Sequence, residues 1–399
     1  MKILLVNDYA TPTGGAELLT FTLRNQLCER GHEARIFASS ARPGAGLSFA
    51  DYECFGTTTA LAPVLQVANI WAFWRLRQVL ATFRPDVVHV GVFLTQLSPL
   101  ILPLLQNLPS VYQVHWYRPI CPVGTKTLPD GSACHVPAGT VCYRNRCLPL
   151  RHWGTRMLQM KLWRRWRLVF DRIVTNSEVA RRLLVAEGFG PIDVVRPGVP
   201  EQPMRPPLAF PPTIAFAGRL VRQKGVDLLL RAFARLVTHV PEARLLLAGD
   251  GPERKSLHEL ISTLGVSSRV CMLGHLSRPE LERHFASAWV QAVPSRFAEA
   301  FGLVAVEAMM RGTAVVASAA DGLMEVVEDG QTGVLVPPGD VNGLAEALLA
   351  LLRDRELAER MGKTGREVAL EHFREETYID RLIQLYRLLC QNTAHTYGN

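Results

Sequence analysis

Seven prolines lie between Arg196 and Thr213 (Pro197, Pro200, Pro203, Pro206, Pro207, Pro211 and Pro212), and the same alternation of strand-like and helix-like patterns runs on both sides of them. Proline gives no N–H to a ladder, so this segment cannot enter a sheet interior and reads as an extended linker. Before it, "KILLV", "HEARIFAS", "PDVVHVGV", "SVYQVHW" and "RIVTNS" are short apolar runs separated by helical patterns. After it, "TIAFAG", "ARLLLAG", "RVCMLG", "WVQAVP" and "TAVVAS" repeat the pattern. Runs of this length, buried on both faces and alternating with helices, predict parallel, doubly wound sheets. The expected architecture is α/β: two Rossmann-like domains facing across a cleft, with helices from about residue 341 onward. The boundaries are 1–198, linker 199–212, 213–375, and a last helix 376–399 expected to pack back on the first domain.

The 399 residues are 48% hydrophobic and 20% charged, which suits two globular cores. No run reaches the roughly 18 uninterrupted apolar residues of a membrane span. The opening segment reads as a strand and not as a signal peptide, so a cytoplasmic protein is expected. The net charge of +8 has one source. Residues 131–170 hold no Asp or Glu but include Arg144, Arg146, Arg151, Arg156, Lys161, Arg164, Arg165 and Arg167. A neutral protein with one basic patch points to a local anionic surface and not to nucleic acid.

Three strand-to-helix turns of the second half carry glycine and charge: "GRLVRQKG" (Gly218, Arg219, Lys224), "GDGP" (Gly249, Asp250) and "PSRFAEAFG" (Glu299, Ala300, Phe301, Gly302). Two cations in one turn, beside a helix start near Gly302 and Leu303, suit a diphosphate. Glu307 lies within that helix, and Glu299 precedes it. The two carboxylates are therefore expected to hold a ligand's hydroxyls separately. Asp250, between glycines, serves equally as an Asx turn. His115, at a strand end, serves equally as a core histidine.

These motifs, with "GVD", "VAVEAMMRGTAVVAS" and "DGLMEVVEDGQTGVLVPPGD" following in order, closely resemble the retaining family-4 glycosyltransferases of the GT-B fold. The first half resembles them through "TGGAE", the His of "YQVHW" and "IVTNSE". The resemblance implies a UDP- or GDP-sugar donor and no catalytic metal. Arg219 and Lys224 would hold the diphosphate, Glu307 the ribose and Glu299 the sugar hydroxyls. Gly218, Gly249 and Asp250, with the backbone of Ala300, Phe301, Gly302 and Leu303, would line the donor site. Gly14, Gly15 and His115 would reach the donor from the first domain. Transfer of a hexosyl or N-acetylhexosaminyl group to a glycan or lipid-linked acceptor, in cell-surface polysaccharide synthesis, is the implied role. Where the family often has Gly-Gly, this chain has Asp321-Gly322. The rival readings are a nucleotide-sugar epimerase, a glycoside hydrolase using Glu299 and Glu307, which would leave Arg219 and Lys224 unexplained, and a basic nucleic-acid binder.

Two features stand outside those motifs. In the insert 121–147, Cys121, Cys134, Cys142 and Cys147 are spaced by 12, 7 and 4 residues, with no C-x2-C. A structural zinc and unpaired thiols are both open readings. A basic amphipathic helix over about 153–170 is expected to place Leu158, Leu162, Trp163, Trp166, Val169 and Phe170 on one arc. Its basic face, within 144–167, would either be solvated or dock to an anionic inner membrane surface carrying the acceptor.

Overall fold

The computed structural model describes residues 1–11, 14–42, 48–296 and 299–396. The chain forms two compact units, Met1–Arg196 with Tyr378–Asn399, and Pro197–Thr377.

The first unit has seven strands: β1 Lys2–Tyr9, β2 Glu33–Ser39, β3 Tyr52–Cys54, β4 Val87–Val90, β5 Ser110–Val114, β6 Arg172–Thr175 and β7 Ile192–Val194. They pair in the order β3-β2-β1-β4-β5-β6-β7, every pair parallel. All residues of β4 and β5 are buried, as expected of strands covered on both faces. From Tyr378 onward the last helix closes this unit. Its Tyr378 hydroxyl donates to Gln113 Oε1 at 3.0 Å, and its Tyr386 hydroxyl is hydrogen-bonded to His89 Nδ1 at 2.7 Å. Burial pushes the His89 pKa down to about 3, so its imidazole is neutral.

The second unit has six strands: β8 Thr213–Ala217, β9 Arg244–Ala248, β10 Val270–Gly274, β11 Val290–Val293, β12 Ala314–Ser318 and β13 Gly333–Val336. Their order is β10-β9-β8-β11-β12-β13, again all parallel. The strand order therefore reverses between β8 and β11, as it does between β1 and β4 in the first unit. Polar groups that leave such a sheet at its C-terminal edge converge at that reversal.

The proline-rich stretch has no helix or regular strand, and it is fastened to the second unit. Val199 bridges Arg374, Arg205 Nε donates to Gly312 O at 2.9 Å, and Leu208 N donates to Glu359 Oε1 at 3.0 Å. The backbone of Val199 and Leu208 and the side chain of Arg205 thus supply bonds that the prolines between them cannot.

The basic helix runs Leu150–Trp166 and keeps most of the expected arc inward: Trp163 is buried, Leu162 and Trp166 are half-buried, and Phe170 beyond its end is buried. It departs from that arc at two points: Gln159 and Met160 are buried as well, and Leu158 is 49% exposed. The cause is polar. Gln159 Nε2 donates to Gln66 O and Leu94 O, and Arg118 Nη2 donates to Gln159 Oε1. Burying that amide satisfies two carbonyls, which a purely apolar arc would leave unpaired.

Candidate functional site

The turns after β8, β9 and β11 touch backbone to backbone. At Gly249 (φ 139°) a Cβ would lie 1.8 Å from Gly218 O, and at Gly225 (φ 67°) it would lie 2.0 Å from Pro294 O. No side chain fits at either position. Backbone bonds stitch the same segments together: Leu220 N to Asp250 O at 2.9 Å, Arg296 N to Gln223 O at 2.9 Å and Gly322 N to Glu299 O at 2.9 Å. A Cβ at Gly322 would lie 2.6 Å from Phe301 Cα, so in this Asp321-Gly322 variant the second residue keeps the close approach. A rigid rim of loop backbone results at the β8/β11 reversal.

Charge is set into that rim. Lys224 Nζ donates to both oxygens of Glu299, at 2.9 and 2.7 Å, and Ser295 Oγ donates to Glu299 Oε2 at 2.9 Å. The two expected site residues, one following β8 and one following β11, therefore meet at the reversal. Arg296 pairs with Asp227. Arg219 is exposed and has no ion-pair partner among the described residues, so it can meet an entering anion without breaking a bond.

Gly302 (φ 104°) starts the helix Leu303–Arg311 without a side-chain cap, which leaves its first N–H groups open to an acceptor. Glu307 sits on that helix against a different cation from Glu299: Arg278 Nη2 is 3.8 Å from its Oε1. Burial raises its pKa, an effect that Arg278 and Arg311 oppose. Glu299 and Glu307 thus have separate surroundings, unlike the facing acid and base of a glycosidase. Asp250 Oδ1 accepts from Gly251 N at 2.7 Å, and its other oxygen pairs with Arg254 at 3.3 Å. It shapes its own turn and forms one wall of a groove of about 930 Å³ that also holds Lys255 and His258.

In the first unit, Gly14 precedes the helix Gly15–Glu29 and gives it no side-chain cap. His115 follows β5, with its Nδ1 3.4 Å from Asn176 Nδ2. Burial holds its pKa down to about 4, so the ring is neutral near pH 7.

Sequence reasoning missed several residues beside these. Asp8, at the end of β1, accepts from Thr95 N, Thr95 Oγ1, Gln96 N and Leu97 N at 2.5–2.8 Å and pins the loop after β4. Burial outweighs those bonds and raises its pKa to about 6. Arg118 and Arg156 both donate to Gln159 Oε1, at 3.0 and 3.5 Å, and neither is ion-paired among the described residues. Arg118 is 3% exposed and its Nε is unpartnered. Two desolvated guanidiniums on one neutral amide suit an anionic group. The basic run had already named Arg156, whereas Arg118 lies outside it and carried no signal in the sequence.

The structure gives no support to the zinc reading of the insert. Among the described residues no group of three or more His, Cys, Asp or Glu is arranged to hold a metal. Cys134 and Cys147 turn their thiols to the carbonyls of Val136 and Asn145. No described helix is long and apolar enough to cross a membrane.

Two doubly wound parallel units with polar loops at the strand C-termini define a GT-B fold, the architecture of nucleotide-sugar transferases. The model for Glycosyltransferase Family 4 matches residues 13–202, and that for Glycosyl transferases group 1 matches residues 204–368. The chain belongs to the family-4 glycosyltransferases. A D-inositol 3-phosphate glycosyltransferase of Kribbella flavida is 36% identical over 247 residues, 56% of this chain and 58% of that protein. The chain thus spans about half the length of the curated relatives it matches. Among solved structures, sucrose-phosphate synthase from Thermosynechococcus elongatus superposes with a TM-score of 0.74 at 23% identity, covering 97% of this chain and 98% of that one. Anabaena HepE in complex with UDP-glucose gives 0.69 at 20% identity, with coverage of 96% and 98%.

Proposed function

We propose that this protein transfers a sugar from a nucleoside-diphosphate sugar, a UDP-sugar by preference, to a glycan or lipid-linked acceptor with retention of configuration. The observation that carries the reading is the Lys224–Glu299–Ser295 cluster at the β8/β11 reversal, with Arg219 unpaired beside it. HepE, a structural neighbour, is described in complex with UDP-glucose, which supports the choice of base.

Each group has a task in that reaction. Arg219 and Lys224 hold the diphosphate and stabilise the negative charge that grows on it as the glycosidic bond breaks. Glu299 orients Lys224 and accepts from the sugar hydroxyls, and Glu307 accepts from the ribose. The open N–H groups at Gly302 and Leu303 take phosphate or sugar oxygens, and the glycines at 218 and 249 let the chain approach the ligand closely. Gly14, Gly15 and the neutral His115 are assigned donor contacts by the family resemblance. The acceptor hydroxyl attacks the anomeric carbon on the face the diphosphate leaves, and a departing phosphate oxygen takes its proton. Arg118 and Arg156 are assigned to an anionic group of the acceptor, in keeping with a phosphorylated or lipid-diphosphate substrate. Synthesis of cell-surface polysaccharide at the inner membrane face is the setting this reading favours.

The test is turnover of UDP-glucose, UDP-galactose and UDP-N-acetylglucosamine with lipid-linked and oligosaccharide acceptors, reading the anomeric configuration of the product by NMR. An α-product formed from an α-donor only when acceptor is present is expected. An inverted product, or conversion of the donor sugar with no acceptor, would overturn the reading and favour another chemistry.

A further inference from the structure

The first unit leaves a second surface that the transfer reaction does not use. The helix Ile70–Phe83 buries Ala72, Leu76, Val79 and Phe83, the period of a single inward stripe. Its outward stripe begins with Ile70, Trp71 and Trp74, which are 51%, 52% and 61% exposed. Soluble surfaces seldom leave two neighbouring tryptophans in water. The cluster is built rather than scattered. Asn69 caps the helix through Ala72 N and donates to Phe55 O at 2.9 Å, which sets the 44%-exposed Phe55 ring 5.2 Å from Trp71. Arg77 lies over the Trp74 ring at 5.4 Å. The helix Ala62–Val67 just before it contributes the exposed Val64, and Leu61 at its N-cap is exposed as well.

Charge decides what this face fits. No Asp or Glu occurs from Phe55 to Pro85, whereas Arg75, Arg77 and Arg84 all do. Across residues 55–170 there are two acidic residues, Asp86 and Asp130, against thirteen Lys and Arg. Aromatic rings beside cations, with carboxylates absent, match the boundary between acyl chains and anionic headgroups. A protein partner would more often ask for mixed charge at the rim. The patch also follows directly on the C-terminal end of β3, the same sheet edge from which His115 leaves β5.

We propose that Phe55, Ile70, Trp71 and Trp74, with Arg75 and Arg77, form a docking surface for an anionic lipid bilayer. The apolar side chains enter the interface and the arginines meet the headgroups. This surface differs from the basic helix Leu150–Trp166, whose Met160 and Trp163 are committed to the core. It stands whether or not the acceptor proves to be lipid-linked.

The experiment is co-sedimentation of the full chain with phosphatidylcholine vesicles, alone or mixed with phosphatidylglycerol, at low and high salt. W71S/W74S and R75Q/R77Q are run beside the wild type, and the thermal shift given by UDP is recorded for each as a reading of fold and donor site. The wild type is expected to sediment with the anionic vesicles only. The tryptophan pair should weaken binding by roughly tenfold or more, and the arginine pair by a similar factor with a flatter salt response, each keeping the UDP shift. Equal sedimentation of the tryptophan variant, equal binding to neutral vesicles, or no vesicle binding by the wild type would overturn the proposal. So would a tryptophan variant that changes only the oligomeric state in light scattering, which would assign the face to a second copy of the chain. A wild type that ignores UDP yet loses vesicle binding in the tryptophan variant would count against the donor assignment and support the docking surface.

Discussion

Gly249 shows how far one residue constrains the site. Its φ of 139°, and the 1.8 Å that would separate an added Cβ from Gly218 O, leave no room for alanine without parting the turns after β8 and β9. Gly249→Ala should therefore destabilise the second unit by about 3 kcal/mol or more, measured by denaturant unfolding. A loss under about 1 kcal/mol would mean that the turns are not locked. The glycines and charges of these turns were legible in the sequence because each sits at a fixed offset from an apolar strand. Their pairing was not. Lys224 and Glu299 are 75 positions apart, and nothing local says that the cation will grip the carboxylate while Ser295 donates to it. Asp8 was missed for a related reason: an acid at the end of an apolar strand gives no hint that four donors 87 to 89 residues later will surround it.

Among elements, the loop after β4 depends most on a single partner. Asp8→Ala leaves the N–H groups of Thr95, Gln96 and Leu97 without their acceptor, and the expected cost is about 2–4 kcal/mol, with faster hydrogen exchange confined to that loop. Unchanged exchange there would show that the loop is held by other contacts. At this scale the apolar strands were legible, the edge strand β10 among them, and the other three edges were not. β3, β7 and β13 went unseen, and all three end their sheets. An edge strand of three or four residues, covered on one side only, needs no continuous apolar run, so periodicity does not reveal it. The helix Leu150–Trp166 was legible in part: Trp163 turns inward as its apolar arc requires, but Gln159 does too and Leu158 does not. Its rotation was set by the hydrogen bonds of Gln159, and a hydrophobic arc counts such a residue as outward.

At the scale of the whole molecule, acid should weaken the first unit. His89 and His115 take up a proton in the unfolded chain below about pH 6.5, but in the folded chain only near 3 and 4. Unfolding therefore absorbs their protons, and their contribution to stability falls as pH drops through that window. Asp8 acts in the other direction: the folded chain holds its proton up to about 6, which favours folding between about 4 and 6. Two groups against one leave a net loss on the order of 2 kcal/mol between pH 7 and pH 5. Denaturant unfolding of the first unit at the two pH values measures it, and equal stability would show that the imidazoles are not shielded as the structure places them.

The central claim is that the second unit's rim at the β8/β11 reversal binds a nucleoside diphosphate through Arg219 and Lys224. Calorimetric titration of UDP into the wild type and into Lys224→Ala tests it most directly. Saturable binding by the wild type, weakened about a hundredfold or more in the variant while its melting temperature holds, is the predicted result. Equal affinity in the two proteins would contradict the claim and move the diphosphate elsewhere.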